Sequence, residues 1–287
     1  MKLSLDFLEV MVMRTCNLSC NGCTTFSDLT YKGFTSWDTG KSWIEPWLDR
    51  IDIKAIGVMG GEPLINPEIR QWITGIRELL PDAQIRFVTN GLLLEKNWDI
   101  VSLLDKVGNS VLKISYHVNN PLLDNTIERI FNSYNWEPIT EFGIDRYKNQ
   151  NGTRFQIAKP TKFLKTFRND YNNMMPHNNN PADAFDICVQ QRCPLLYKGK
   201  IYKCGTLGLT PELIERMGNP NYEQWEKFID SGLNTSCNEK DLDLFLKNFG
   251  KPHRFCAQCP SVVDNASIVD HLSTVEYKSN FHNHQNI

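Results

Sequence analysis

No stretch of the 287-residue sequence approaches the roughly eighteen consecutive apolar residues of a membrane span, so no membrane partner is expected. Charge of one sign is not in excess either. Thirty-one basic against 33 acidic side chains give a net charge of -2, which leaves no global field for nucleic acid or anionic lipid. The first fifteen residues, interrupted by Asp6 and Glu9, lack the apolar run and small-residue cleavage site of a secretory leader. Cytoplasmic placement is the expectation, in a compartment where thiols stay reduced. Cysteine is missing between residues 24 and 187, yet nine cysteines cluster on either side of that gap. Such clustering favours metal binding or catalysis over a disulfide framework.

With 41% hydrophobic and 22% charged residues the chain can bury a large core, and its length suggests roughly two domains. From residue 8 to about 160, short β-branched runs alternate with helical periodicities, the pattern of an α/β fold. Strands are expected at Leu8 to Met13, Ala55 to Met59, Gln84 to Thr89 and Val111 to Tyr116, with weaker ones at Thr140 to Ile144 and Arg154 to Ala158. The long crossovers imply parallel pairing. Ser36 is positioned to cap a helix carrying Trp37, Ile44 and Trp47; Asn66-Pro67 reads as N-cap and N1 of a helix carrying Ile69, Trp72, Ile73 and Ile76. The Asn-rich stretch 172–181 reads as a connection between a first domain, 1–171, and a second, 182–287. Within the second, Tyr197 to Tyr202 looks like a hairpin, helices are expected near 211–231 and 239–249, and the tail 280–287 is expected to fray.

Cys16-x3-Cys20-x2-Cys23 directly follows the first strand in an Asn-, Ser- and Gly-containing loop, where three thiolates can converge on one centre. A closed zinc site needs four ligands, and no fourth Cys or His lies nearby. An iron-sulfur cubane takes one thiolate per iron, so three cysteines leave one iron free. The triplet, together with Met59-Gly60-Gly61-Glu62-Pro63 after the second strand, resembles the radical S-adenosylmethionine (radical SAM) superfamily. The resemblance covers roughly residues 8 to 160. It implies a partial (β/α)6 TIM-type barrel, a 4Fe-4S cluster on Cys16, Cys20 and Cys23, and S-adenosylmethionine (SAM) bound to the free iron. It further implies reductive cleavage of SAM to a 5'-deoxyadenosyl radical, fed by a reducing partner such as flavodoxin or ferredoxin. Glycines allow a close backbone approach to a ligand. By the resemblance, Gly60, Gly61, Glu62 and Pro63 are then SAM-binding, with Glu62 on the amino group. Asn90 and Ser115, at the ends of the third and fourth strands, are carried over as SAM contacts, and His117 as a candidate lining the substrate cavity. Many family members place an aromatic residue before the third cysteine; this chain has Gly22, and Phe26 is either a substitute or simply core.

Cys188, Cys193 and Cys204, with Gly199 between them, followed by Cys256-x2-Cys259, resemble the SPASM or Twitch extension of the same superfamily, in a small α+β cysteine-rich domain. The resemblance implies an auxiliary 4Fe-4S cluster. Too few thiolates remain for two clusters, so one is expected. Cys193, Cys204, Cys256 and Cys259 form the first choice of ligands, with Cys188 able to replace one of them; a zinc ribbon stays open as the alternative. Cys237 reads as an inert thiol. Five tryptophans, Trp37, Trp43, Trp47, Trp72 and Trp98, read as core. Lys159, Lys162, Lys165 and Arg168 have the spacing of one helix face, and Asp145 and Arg146 are weak candidates for substrate contact. The expected function is a radical SAM enzyme oxidising a small carbohydrate-like molecule. Maturation of a ribosomal peptide or sulfatase-like protein, and a zinc-holding interaction module, are the alternatives.

Overall fold

The computed structural model describes residues 2–29, 31–141, 143–229, 231–264 and 267–270; the 280–287 tail lies outside them. Its strands are β1 (Leu3–Leu5), β2 (Leu8–Met13), β3 (Ile51–Ile53), β4 (Ala55–Gly60), β5 (Gln84–Thr89), β6 (Ser110–Ser115), β7 (Glu137–Glu141), β8 (Ile144–Lys148), β9 (Arg154–Ala158), β10 (Lys162–Leu164), β11 (Leu195–Tyr197), β12 (Lys200–Tyr202) and β13 (Ile268–Asp270). The helices are α1 (Trp37–Leu48), α2 (Ile69–Leu79), α3 (Asp99–Val107), α4 (Pro121–Ser133), α5 (Pro181–Asp186), α6 (Gly205–Arg216), α7 (Tyr222–Ile229) and α8 (Glu239–Lys247).

Nine of the strands form one mixed sheet in the order β12-β11-β2-β4-β5-β6-β9-β8-β7, parallel from β11 to β9. Its register puts Leu8 beside Ile56, Val58 beside Phe87 and Leu112 beside Phe155, so every second side chain points to the same layer. That layer is α1 to α4, which bury Ile44, Trp47, Trp72, Ile76, Leu104 and Ile130 against it. Ser36 caps α1 as expected, its side chain accepting from the Thr39 N–H. The Asn66 side chain accepts from the Glu68 N–H (2.9 Å), two residues on as expected of a cap, although α2 itself starts at Ile69 rather than at Pro67. The buried Asn66 amide also donates to Val12 O (2.8 Å) and Thr35 O (3.1 Å), tying β2 to the approach of α1.

Three further expectations are corrected. Thr140 to Ile144 is not one parallel strand but the turn region of an antiparallel hairpin, β7 with β8, at the sheet edge. Lys159 to Arg168 is no helix: it contains β10, paired antiparallel with β13. The 172–181 stretch is packed, with Met174 and His177 buried and the Trp225 indole N–H donating to Met174 O. Beyond it, the 195–202 hairpin joins the main sheet, β11 running parallel to β2 through Leu195–Glu9 and Leu196–Val10. No helix among the described residues is long and apolar enough to cross a membrane.

Candidate functional site

At the carboxyl end of β2 the chain passes tightly against the end of β4. Gly61 N–H donates to Met13 O (2.8 Å) and Glu62 N–H to Thr15 O (2.9 Å). A Cβ on Gly60 would fall 2.2 Å from Met13 O, and one on Gly61 2.2 Å from Thr15 O. The two glycines are thus required by a neighbouring backbone, and this close pass fixes where the cysteine loop begins. Gly22 is required too: its φ of +72° belongs to the left-handed region, and a side chain there would meet Phe163 and Val269. An aromatic residue before Cys23 has no room in this loop. Phe26 does not replace it, since its ring is buried in the core with Leu29 and Phe167.

Cys16, Cys20 and Cys23 line one cavity of about 200 Å3. Gly60, Gly61, Asn90, Ser115 and His117 line the same cavity, at the carboxyl ends of β4, β5 and β6. Met59 and Thr89 belong to the same wall, and residues not singled out from the sequence complete it, among them Thr25, Val88 and Phe163. Phe163 lies beside the His117 imidazole, ring centroids 6.0 Å apart. The Leu18 N–H donates to Cys16 Sγ (3.4 Å), and Cys23 Sγ lies 3.2 Å from the Thr25 hydroxyl. Burial, and secondarily the charge of Asp28, pushes the Cys23 thiol up from its ordinary range.

Glu62 and Pro63 stand outside the cavity wall. The Glu62 carboxylate is fully buried and accepts from the Leu64 N–H (3.0 Å), the Thr89 hydroxyl (2.7 Å) and the Asn90 N–H (2.8 Å). It therefore holds the end of β5, where the sequence placed it on a ligand's amino group; Pro63 opens the buried turn that follows. Asn90 in turn donates from Nδ2 to Asn17 Oδ1 (2.7 Å) and lies 3.9 Å from Cys16 Sγ. Glu62, Asn90 and Asn17 form a chain from the second strand loop to the cysteine loop. Asp145 and Arg146 are engaged in the β7–β8 hairpin, with Thr140 and Glu141 respectively, and line no part of this cavity.

A second thiol set lies in the carboxy-terminal third. Cys188, Cys204, Cys256 and Cys259 line a narrow cavity with Lys203, Phe185 and Phe255. Cys193 is not in that wall, although the sequence reading placed it among the first four. Its thiol lies near Glu9 of β2, whose N–H donates to Pro194 O, and also within electrostatic reach of Cys204 and Cys188. Burial holds the Cys188 and Cys259 thiols above their ordinary range and pushes Cys204 up to about 12. Dry thiols of this kind stay protonated until a bound cation displaces the proton. Among the described residues no group of three or more His, Cys, Asp or Glu side chains already stands at the spacing of a single ion. Cys237 sits apart, its sulfur accepting from Arg50 just ahead of α8.

The profile described as "Radical SAM superfamily" matches residues 10–149. The GTP 3',8-cyclase of Petrotoga mobilis is 30% identical over 129 residues, covering 44% of this chain and 39% of that protein. The enzyme of the same name from Campylobacter fetus is 27% identical over 135 residues, covering 44% of this chain and 42% of its own. The chain thus spans about two fifths of the length of these curated relatives. Among solved structures, BtrN in complex with AdoMet and 2-DOIA aligns over 91% of this chain and 95% of its own, at 16% identity and a TM-score of 0.49.

Proposed function

From the premise that residues 10–149 are a radical SAM superfamily domain and the protein is an enzyme of that kind, we propose that its reaction is oxidation of a small carbohydrate-like molecule. In this reading Cys16, Cys20 and Cys23 hold a 4Fe-4S cluster, and SAM occupies the 200 Å3 cavity they line. The donor set fits: three soft thiols with too few partners to close a zinc site suit a cubane with one open iron. When bound, the pair supplies the 5'-deoxyadenosyl radical that abstracts hydrogen from substrate. Gly60 and Gly61 form one wall of the cavity, and Asn90 and Ser115 offer amide and hydroxyl groups to an amino acid or ribose there. Met59, Val88 and Phe163 keep water away from the reacting atoms. Oxidation of an alcohol would give up one hydrogen atom to the radical, then an electron, for which the auxiliary cluster held by the second thiol set would be the acceptor, and a proton, which we assign to a ring nitrogen of the His117 imidazole on the same wall.

The second thiol set, in a SPASM/Twitch-like extension, is assigned one auxiliary 4Fe-4S cluster on Cys188, Cys204, Cys256 and Cys259, the four thiols that line one cavity, with Cys193 outside that wall. Electrons come, in this proposal, from a small reducing protein such as flavodoxin or ferredoxin. The convergence of three thiols on one polar-rimmed cavity carries the reading. Its test is anaerobic reconstitution with iron and sulfide, followed by SAM and dithionite. Wild type is expected to form 5'-deoxyadenosine and Cys20→Ala none; equal product from both, or none from wild type, overturns it. Iron and sulfide content of Cys188→Ala against Cys193→Ala checks the auxiliary ligands: only the first is expected to lose about four irons.

A further inference from the structure

Away from the cysteine loop, a cavity of about 360 Å3 opens between α8, the 248–255 segment and the 231–233 turn. Small-molecule sites begin at about this volume. Its walls carry the rings of Phe245, Phe249 and Phe255, with Leu244 57% exposed beside them. Two cations, Lys203 and Arg254, also line the cavity. Lys203 is only 8% exposed, its ammonium lies 4.7 Å from the centre of the Phe185 ring, and among the described residues it makes no ion pair. The Arg254 guanidinium lies 4.7 Å from the centre of the Phe255 ring and is likewise unpaired with any carboxylate of the described residues. Asp241 is the one carboxylate of the lining, and it accepts from the Asn238 amide. The Ser231 hydroxyl oxygen is buried with no hydrogen-bond partner among the described residues.

A cation with a mostly buried stem at the mouth of an apolar cavity is a ready partner for an anion that enters it. Flat apolar walls select a body to match. We propose that this cavity binds a small molecule with an aromatic or similarly flat apolar body and one anionic group, a carboxylate or a phosphate. The anion pairs with Lys203 and Arg254, the body packs on Phe245 and Phe249, and the Ser231 hydroxyl donates to the anion. Lys203 and Phe255 also line the cavity of Cys188 and Cys204, so the ligand would sit one side chain from those sulfurs. The binding claim itself stands on the cavity alone, whatever the thiols hold.

The test uses full-length, anaerobically reconstituted protein and saturation-transfer NMR titrations with benzoate, phenyl phosphate and neutral benzyl alcohol. At least one anion is expected to bind with a dissociation constant below about 1 mM, and benzyl alcohol about tenfold more weakly. The better anion identifies the headgroup. Lys203→Met should weaken the anion about tenfold and leave benzyl alcohol unchanged, while Lys203→Arg retains anion binding. Should Lys203→Met fail to fold, Arg254→Gln reads the same preference. Three results overturn the proposal: no anion binding by about 10 mM, equal binding of the neutral probe, or unchanged anion binding in the folded charge-removing variant. None of these depends on whether 5'-deoxyadenosine is formed, so failure here and failure of the radical SAM reaction are separate outcomes.

Discussion

The carboxyl group of Glu62 is buried beneath the site and receives three hydrogen bonds, from Leu64, Thr89 and Asn90. Burial raises its pKa from 4.5 to about 7, against the pull of those three donors. Between these two values the native state keeps a proton that the unfolded chain has released. Its contribution to stability is therefore fully present below 4.5 and is lost as pH rises through about 7. Glu62→Gln removes that part of the slope, and its amide N–H2 turns a donor towards the Asn90 or Thr89 donor. A loss of about 1–3 kcal/mol is expected at pH 5, where the wild-type carboxyl keeps its proton, shrinking towards pH 8, read by urea unfolding of both proteins at the two pH values. Glu9, also raised to about 7, is common to both proteins and cancels in the difference. At this scale the sequence singled out Glu62 but not the protein groups that surround it. The motif is local, whereas two of its three donors come from the end of a strand some twenty-seven residues further on.

Among the elements, α1 and α2 approach so closely that each needs a glycine opposite the other's tryptophan. A Cβ on Gly40 would stand 1.8 Å from the Trp72 ring, and the two rings, Trp37 and Trp72, meet edge to face at 5.3 Å. Gly40→Ala should therefore cost about 1–3 kcal/mol through overpacking, seen as a lower midpoint in thermal or urea unfolding. The four strongest strands and the Ser36 cap were legible because alternation and capping are local signals. The β7–β8 hairpin was not: its strands are mostly exposed on both faces, so no alternation marks them. The 159–168 segment misled for a related reason. Its basic residues recur at helical spacing, but β10 is stabilised by β13, about a hundred residues away, and no local pattern reveals that partner.

For the whole molecule, the sheet crosses the division that composition suggests. β11 covers the outer edge of β2, and Arg14, at the end of β2, donates to Thr25 O in the cysteine loop (2.9 Å) while pairing with Glu212 of α6 (3.3 Å). Glu212 also accepts from the Tyr197 hydroxyl and Lys198. The loop that presents Cys16, Cys20 and Cys23 is thus braced from the carboxy-terminal third. A chain ending at residue 171 would leave the β2 edge unpaired and the Met11 and Leu29 side chains without Leu195, Leu207 and Leu209. Such a truncation is expected to aggregate, checked by size-exclusion chromatography beside the full chain.

Residue order alone determined that thiols would gather in two sets, that the first would follow a buried strand, and that a Gly-Gly-Glu-Pro turn would stand beside it. Those features are encoded within a few neighbouring positions. Only the tertiary structure decided that Cys188 rather than Cys193 lines one cavity with Cys204, Cys256 and Cys259, that Glu62 braces β5, and that Lys203 lines a ring-walled cavity. Each of those outcomes depends on which distant strand or helix arrives at a side chain, and that is set by sheet order and packing, to which spacing along the chain is blind.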